Sequence, residues 1–180
     1  PITSFSDGST EALVASNLYT DVVEAALTRH RWRFATTQQQ ISLLSTTPTG
    51  RYDYAYQMPT SPEVLQIVSV TVNDLVIAYA RYQNYIYVNG YGSSSELIMD
   101  YIYKVGEAYF PPHFRLAVEY ELAALFAGSV ARDSSMIEQF KALAERQYLV
   151  AKNIDSTETT SKVIDTSRFI AMRRSTRTDV

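Results

Sequence analysis

Cysteine is absent from this 180-residue sequence. There is therefore no disulfide framework and no thiolate chemistry, which fits a reducing compartment or a particle assembled inside one. Histidine is scarce as well: His30 and His113 lie far apart, and neither has a His, Glu or Cys at metal-ligand spacing, so no metal site is expected. Long apolar runs are missing. The longest, Leu75 to Ala80 and Leu122 to Ala127, hold six residues each against the roughly 20 that cross a bilayer, so no membrane span is expected. Residues 1 to 12 show no basic stretch followed by an apolar one, so no secretory signal is expected among them. Nor is there a basic excess: 16 Lys plus Arg against 19 Asp plus Glu give a net charge of -3, the wrong sign for a chain whose main task is gripping phosphate backbones.

What is present is a globular composition, 46% hydrophobic and 19% charged, with an unusual aromatic balance of 14 Tyr to 7 Phe and 1 Trp. A tyrosine joins a large apolar ring to a hydrogen-bonding tip, which suits surfaces that a partner later covers. The capping residues Asp7 to Thr10 open a stretch in which Ala15, Leu18, Val22, Ala25 and Ala26 recur at helical spacing, predicting a helix to about Thr28. From Ala35 to about Tyr103 the pattern is β. Candidate strands are Gln38 to Leu44, Tyr52 to Gln57, Val64 to Val72, Leu75 to Tyr79, Tyr85 to Val88 and Glu96 to Tyr103. Phe110-Pro111-Pro112 marks a helix start, Gly128 its end, and Asp133 with Glu138 caps a last helix to about Ile154. These two helices form an antiparallel hairpin.

Asp155 to Ser161 contains no apolar residue and reads as a linker. Residues 162 to 180 carry Lys162, Arg168, Arg173, Arg174 and Arg177 against Asp165 and Asp179, five against two, or +3. The remaining 161 residues then hold -6 of the total -3. With Phe169 and Ile170 interleaved among the arginines, this tail reads as a segment that orders on a partner. The expected organisation is α+β: one domain over residues 1 to 155 with a β insertion over about 36 to 104, then an extended C-terminal docking tail over 156 to 180.

Catalytic patterns are largely missing. Gly90-Tyr91-Gly92-Ser93-Ser94-Ser95 starts like a dinucleotide fingerprint, but it lacks the third Gly and lies between strands. The acidic pairs Asp21 with Glu24 and Glu119 with Glu121 fall on helices that need charge for solvation. No nucleophile elbow or phosphate loop is present, so no enzyme and no cofactor are expected. Arg29 to Arg33 holds three Arg, a His and a Trp; it could meet nucleic acid, although Trp32 in the core is the plainer expectation. Period-two alternation puts Tyr52, Tyr54 and Tyr56 on one strand face, as it does Tyr85 with Tyr87 and Tyr101 with Tyr103. These seven are the candidate contacts for neighbouring subunits.

Three segments together carry a family resemblance: RHRWRFATTQQQISL after the first helix, YQMPTSPEVLQIVSVTVND in the β stretch, and FPPHFRLAVEYELAALFAGSVARDSSMIEQFKALAERQYLVAKNID at the close. Over roughly residues 10 to 155 the arrangement resembles the tail tubular protein A family, the head-to-tail adaptors of short-tailed bacteriophages. The resemblance implies a helical bundle, made of the N-terminal helix and the C-terminal hairpin, with an inserted antiparallel β domain. It also implies a non-enzymatic virion protein, assembled in the host cytoplasm. Twelve copies would ring a central channel for double-stranded DNA between the portal protein and the tail or nozzle protein. Lys162, Arg168, Phe169, Ile170, Arg173, Arg174 and Arg177 would then be the portal-docking residues. The tyrosine load and the short N-terminus depart from the family. The alternative is a nucleic-acid binding accessory protein using Arg29 to Arg33 and the basic tail.

Overall fold

The structure, a computed structural model, describes residues 8 to 92, 94 to 131 and 133 to 158. Helix α1 spans Thr10–Thr28, and the Ser9 side chain accepts the Ala12 N–H at 3.1 Å, satisfying one of the amide donors left open at a helix start. A single 3-10 turn, Arg33–Ala35, leads into strand β1 (Thr36–Leu43). Strands β2 (Tyr54–Gln57), β3 (Val64–Val72), β4 (Leu75–Val76), β5 (Ala80–Tyr82), β6 (Tyr85–Val88) and β7 (Leu97–Tyr103) follow. Helix α2 (Pro112–Phe126) starts with proline at its first positions, where no amide donor is needed. It passes through a π turn, Ala127–Ala131, before α3 (Ser134–Thr157), whose N-cap Asp133 accepts from Ser135 and Met136.

All seven strands form one antiparallel sheet in the order β4-β3-β7-β1-β2-β6-β5. β1 is its spine: Thr36 to Ile41 pair with β7, whereas Ser42 and Leu43 pair with β2. The two edge strands β4 and β5 are consecutive in the chain, joined by residues 77 to 79. An extended chain covers at most about 14 Å over that link, so the sheet must curl until its edges nearly meet. This is why the expected strand Leu75 to Tyr79 stops at Val76. The chain leaves one edge, buries Ile77 in the curl, and joins the other edge at Ala80. Asn73 and Asp74, both at positive φ, make the tight turn between β3 and β4.

Two cores result. Inside the curl lie Ile41, Tyr56, Met58, Val70, Val72, Ile86, Val88, Leu97, Met99 and Tyr101. The second core lies between the helices and the sheet: Val22, Val23, Ala26 and Leu27 of α1, Phe114, Ala117 and Val118 of α2, and Ala144, Tyr148 and Ala151 of α3. It is completed by Trp32, Phe110 and Ile102 of β7, with Leu65 and Val68 of β3 packed against it.

The expectation of a helical bundle carrying only an inserted β domain is therefore corrected. Among the described residues the fold is three helices packed on a seven-stranded curled antiparallel sheet, and the sheet supplies part of the helices' core. The physical reason is volume. Three of the six buried α1 residues, Ala12, Ala15 and Ala26, are alanines, too small to fill a bundle interior, so aromatic residues and β3 and β7 side chains close the space.

Candidate interaction surface

The basic run after α1 is a packing junction. Arg29 donates to Glu145 at 3.0 Å and to Glu121 at 3.2 Å, and its guanidinium stacks over the Tyr148 ring at 4.3 Å. Tyr148 in turn donates to Glu121 at 2.5 Å. Burial, then this bond to a carboxylate, pushes the Tyr148 phenol well above its ordinary range. Trp32 is 0% exposed, and its indole N–H donates to Ala26 O at 2.9 Å. His30 meets Trp32 edge-on at 4.9 Å and places Nε2 3.4 Å from Asp155. Arg29, His30 and Trp32 are thus engaged within the chain, and Trp32 offers no face for a base to stack on.

Asp155, expected in a linker, is 3% exposed and accepts the Arg33 backbone N–H at 3.0 Å. It sits in the last turn of α3, which runs on to Thr157. A carboxylate there anchors the 3-10 turn that starts β1, and so ties the C-terminal helix to the spine of the sheet. Local composition hid it, because an acidic residue among Ser and Thr looks like a linker until tertiary contact brings a donor.

The seven candidate tyrosines divide in two. Tyr56 and Tyr101 are buried in the curl, where Tyr56 donates to the carbonyls of Tyr91 and Gly92 at 3.1 Å and Tyr101 donates to Gln39 at 3.0 Å. They are packing residues. Tyr54 covers Gly92 so closely that a Cβ there would come within 2.7 Å of its ring. Tyr103 is half-buried and packs against both cores. Tyr52 does not share the Tyr54 and Tyr56 face. It precedes β2, outside the strand's alternation, and packs against Tyr87 at 5.8 Å and Tyr82 at 6.2 Å. Tyr87 pairs across the strands with Ala55, which points opposite to Tyr54 and Tyr56.

The outward rings form one platform: Tyr52, Tyr82, Tyr85 and Tyr87, with centroids 5.5 to 6.5 Å apart where they meet. Arg51 stacks over Tyr52 at 5.1 Å and donates to the Tyr82 hydroxyl at 3.2 Å, which holds that phenol below its ordinary range. The segment from Leu44 to Arg51 borders the platform and encloses a cleft of about 540 Å³ with it. Tyr82 and Arg51 are the members that sequence reasoning missed. Tyr82 lies on β5, a strand not expected from the sequence.

A second surface is apolar. On α3, Met136, Phe140, Leu143, Gln147, Val150 and Ile154 recur at alternating steps of four and three, a stripe beside the buried one that is apolar except at Gln147. Met136 is 39%, Leu143 42%, Val150 43% and Ile154 40% exposed. Near the π turn this stripe meets α2 in a groove of about 420 Å³ lined by Ala123, Phe126, Ala127, Val130, Met136 and Phe140, with Glu11 on its rim. The expected docking residues Lys162, Arg168, Phe169, Ile170, Arg173, Arg174 and Arg177 lie outside the described residues. Among the described residues no helix is long and apolar enough to cross a membrane, and no group of three or more His, Cys, Asp or Glu is placed to hold a metal ion.

No protein-family model matches this sequence, and no curated protein matches it.

Proposed function

We propose that the protein is a structural subunit of a larger symmetric particle: a head-to-tail adaptor (connector) of a bacteriophage virion, forming a ring between the portal and the tail around a channel for DNA. The reading rests on surface chemistry and on the sequence segments that resemble such adaptors, not on the bundle architecture that the resemblance implied. The observation that carries it is apolar exposure. Leu75 is 71% and Val76 73% exposed at one sheet edge, the α3 stripe is open, and a four-tyrosine platform faces outward. Exposed large apolar side chains grouped in this way mark surfaces that a partner covers. The partners under this reading are other copies of the chain, a portal and a tail protein. A net charge of -3 suits a conduit wall, which must let DNA slide rather than hold it.

The test is the native mass of the purified protein, alone and mixed with portal particles. A discrete multimer on the portal is expected. A monomer under both conditions, with no portal association, overturns the reading.

A further inference from the structure

We propose that the open face of the α2–α3 hairpin is the docking track of the chain's own C-terminal segment, residues 162 to 174. The inference concerns the free chain and stands whether or not the eventual partner is a portal. The track itself is the stripe of Met136, Leu143, Val150 and Ile154, broken once by Gln147, whose side-chain amide donates to the His113 carbonyl, and it ends in the groove beside the π turn. Nothing in the described residues covers it.

Reach, pattern and charge select the occupant. Helix α3 rises about 1.5 Å per residue, so the groove at Met136 lies about 33 Å back from Glu158, where the described residues end. An extended chain covers about 3.3 Å per residue, so ten residues span that distance and bring the chain to Arg168. The residues that arrive next are Phe169, Ile170 and Met172, the densest apolar group of the segment, and Val163 and Ile164 pass at the level of Leu143 to Val150 on the way. A shorter segment would not reach the groove, and one without these residues would have nothing to bury there.

The charges are opposite in sign. Residues 162 to 180 carry +3 while residues 1 to 161 carry -6. Arg168, Arg173 and Arg174 flank the apolar group, and the complementarity is at the groove, where Glu11 stands on the rim; the middle of the track is bordered by exposed Arg146, so contact there is apolar. Glu119 is exposed on α2 one turn from Leu116 and Ala123. Tethering makes the docking intramolecular, so modest contact energy suffices at the high effective concentration that a short connection sets. A partner that binds the segment more tightly would then draw it off the track, leaving both surfaces available only in the assembled particle.

The experiment is limited trypsin digestion of the full-length chain, with mass spectrometry reporting cleavage after Arg168, Arg173 and Arg174. In the paired variant Leu143→Asp and Val150→Asp these sites are expected to be cut at least about tenfold faster than in the unaltered chain, because a buried charge excludes the apolar group. Leu149→Asp, on the same helix but off the stripe, should leave the rates unchanged. If the paired variant loses its helical circular dichroism, Phe169→Ser with Ile170→Ser, which alters no described residue, must give the same acceleration. Equal cleavage rates in the unaltered chain and in the folded variants overturn the proposal. Protection that grows with protein concentration also overturns it, since the occupant would then be the segment of a second copy.

Discussion

Replacing Asp155 with alanine tests whether the last turn of α3 is a structural anchor. The carboxylate is 3% exposed, accepts the Arg33 N–H at 3.0 Å, and faces His30 Nε2 at 3.4 Å. A hydrogen bond to a charged acceptor contributes about 1.5–3 kcal/mol, and this one joins two segments 122 positions apart in the chain. The longer His30 contact adds less. A loss of about 2–3 kcal/mol is therefore expected for Asp155→Ala. At about 2–4 °C per kcal/mol for a chain of this size, that corresponds to a fall in Tm of about 4–12 °C. Asp155→Asn keeps an acceptor for the Arg33 amide and should cost about 1 kcal/mol or less. The assay is urea and thermal unfolding followed by the fluorescence of Trp32, the single tryptophan, which is fully buried and in ring contact with His30. An Asp155→Ala protein within about 0.5 kcal/mol of the unaltered chain would refute the anchor, since surface changes commonly fall in that range.

Tyr148→Phe removes the hydroxyl that donates to Glu121 and should cost about 1–2 kcal/mol in the same unfolding assay. The Tyr148 phenol titrates above its unfolded value near 10, and Tyr19 is pushed up to about 12 by burial and a bond to Glu107. Their stabilising effect is thus complete below pH 10 and is lost as pH rises toward the folded values, so stability should fall from about pH 10 upward and fall less steeply in Tyr148→Phe. Gly92→Ala places a methyl against the Tyr54 ring, whose displacement should cost about 1–2 kcal/mol; an unchanged Tm would show that the ring moves freely. Changing Tyr52, Tyr82 and Tyr87 to Ser should leave Tm within a few degrees yet reduce self-association and tail attachment, and unchanged ring formation on a portal would remove the platform from the contact surface. A chain ended after Glu158 keeps every buried core residue of the described structure and should fold, but under the proposed adaptor role it should no longer join portal particles; full occupancy would rule out the C-terminal segment as the grip.

Elements with a strong local signal were legible in the sequence. The three helices begin where the Ser9, Pro111-Pro112 and Asp133 patterns place them, because capping and proline constraints act within one turn. Strand β3 spans Val64–Val72 as its apolar run indicates, and Trp32 is in the core as expected for a large ring. Where distant chain decides, local pattern failed. The run from Leu75 to Tyr79 has the composition of one strand, but only Leu75 and Val76 pair, as β4; residues 77 to 79 cross to the opposite edge of the curled sheet, where β5 begins at Ala80. Alternation predicted one face for Tyr52, Tyr54 and Tyr56, but Tyr52 lies ahead of the strand, where the period of two does not apply. Asp155 looked solvated for want of any local partner, since its donor lies 122 positions away.

By itself the sequence determined the kinds of pieces: capped helices, a tyrosine-rich β stretch, no cysteine, and a basic end that contrasts with an acidic remainder. These follow from residue-level preferences and from charge, which need no neighbour to act. Only the tertiary structure decided that the helices share a core with the sheet, that Arg29 and Asp155 are internal ties, and that four tyrosines and one stripe of α3 stay open. Each of those outcomes depends on which atoms meet across long sequence separations, and burial and pairing energies act between atoms in contact wherever they lie along the chain.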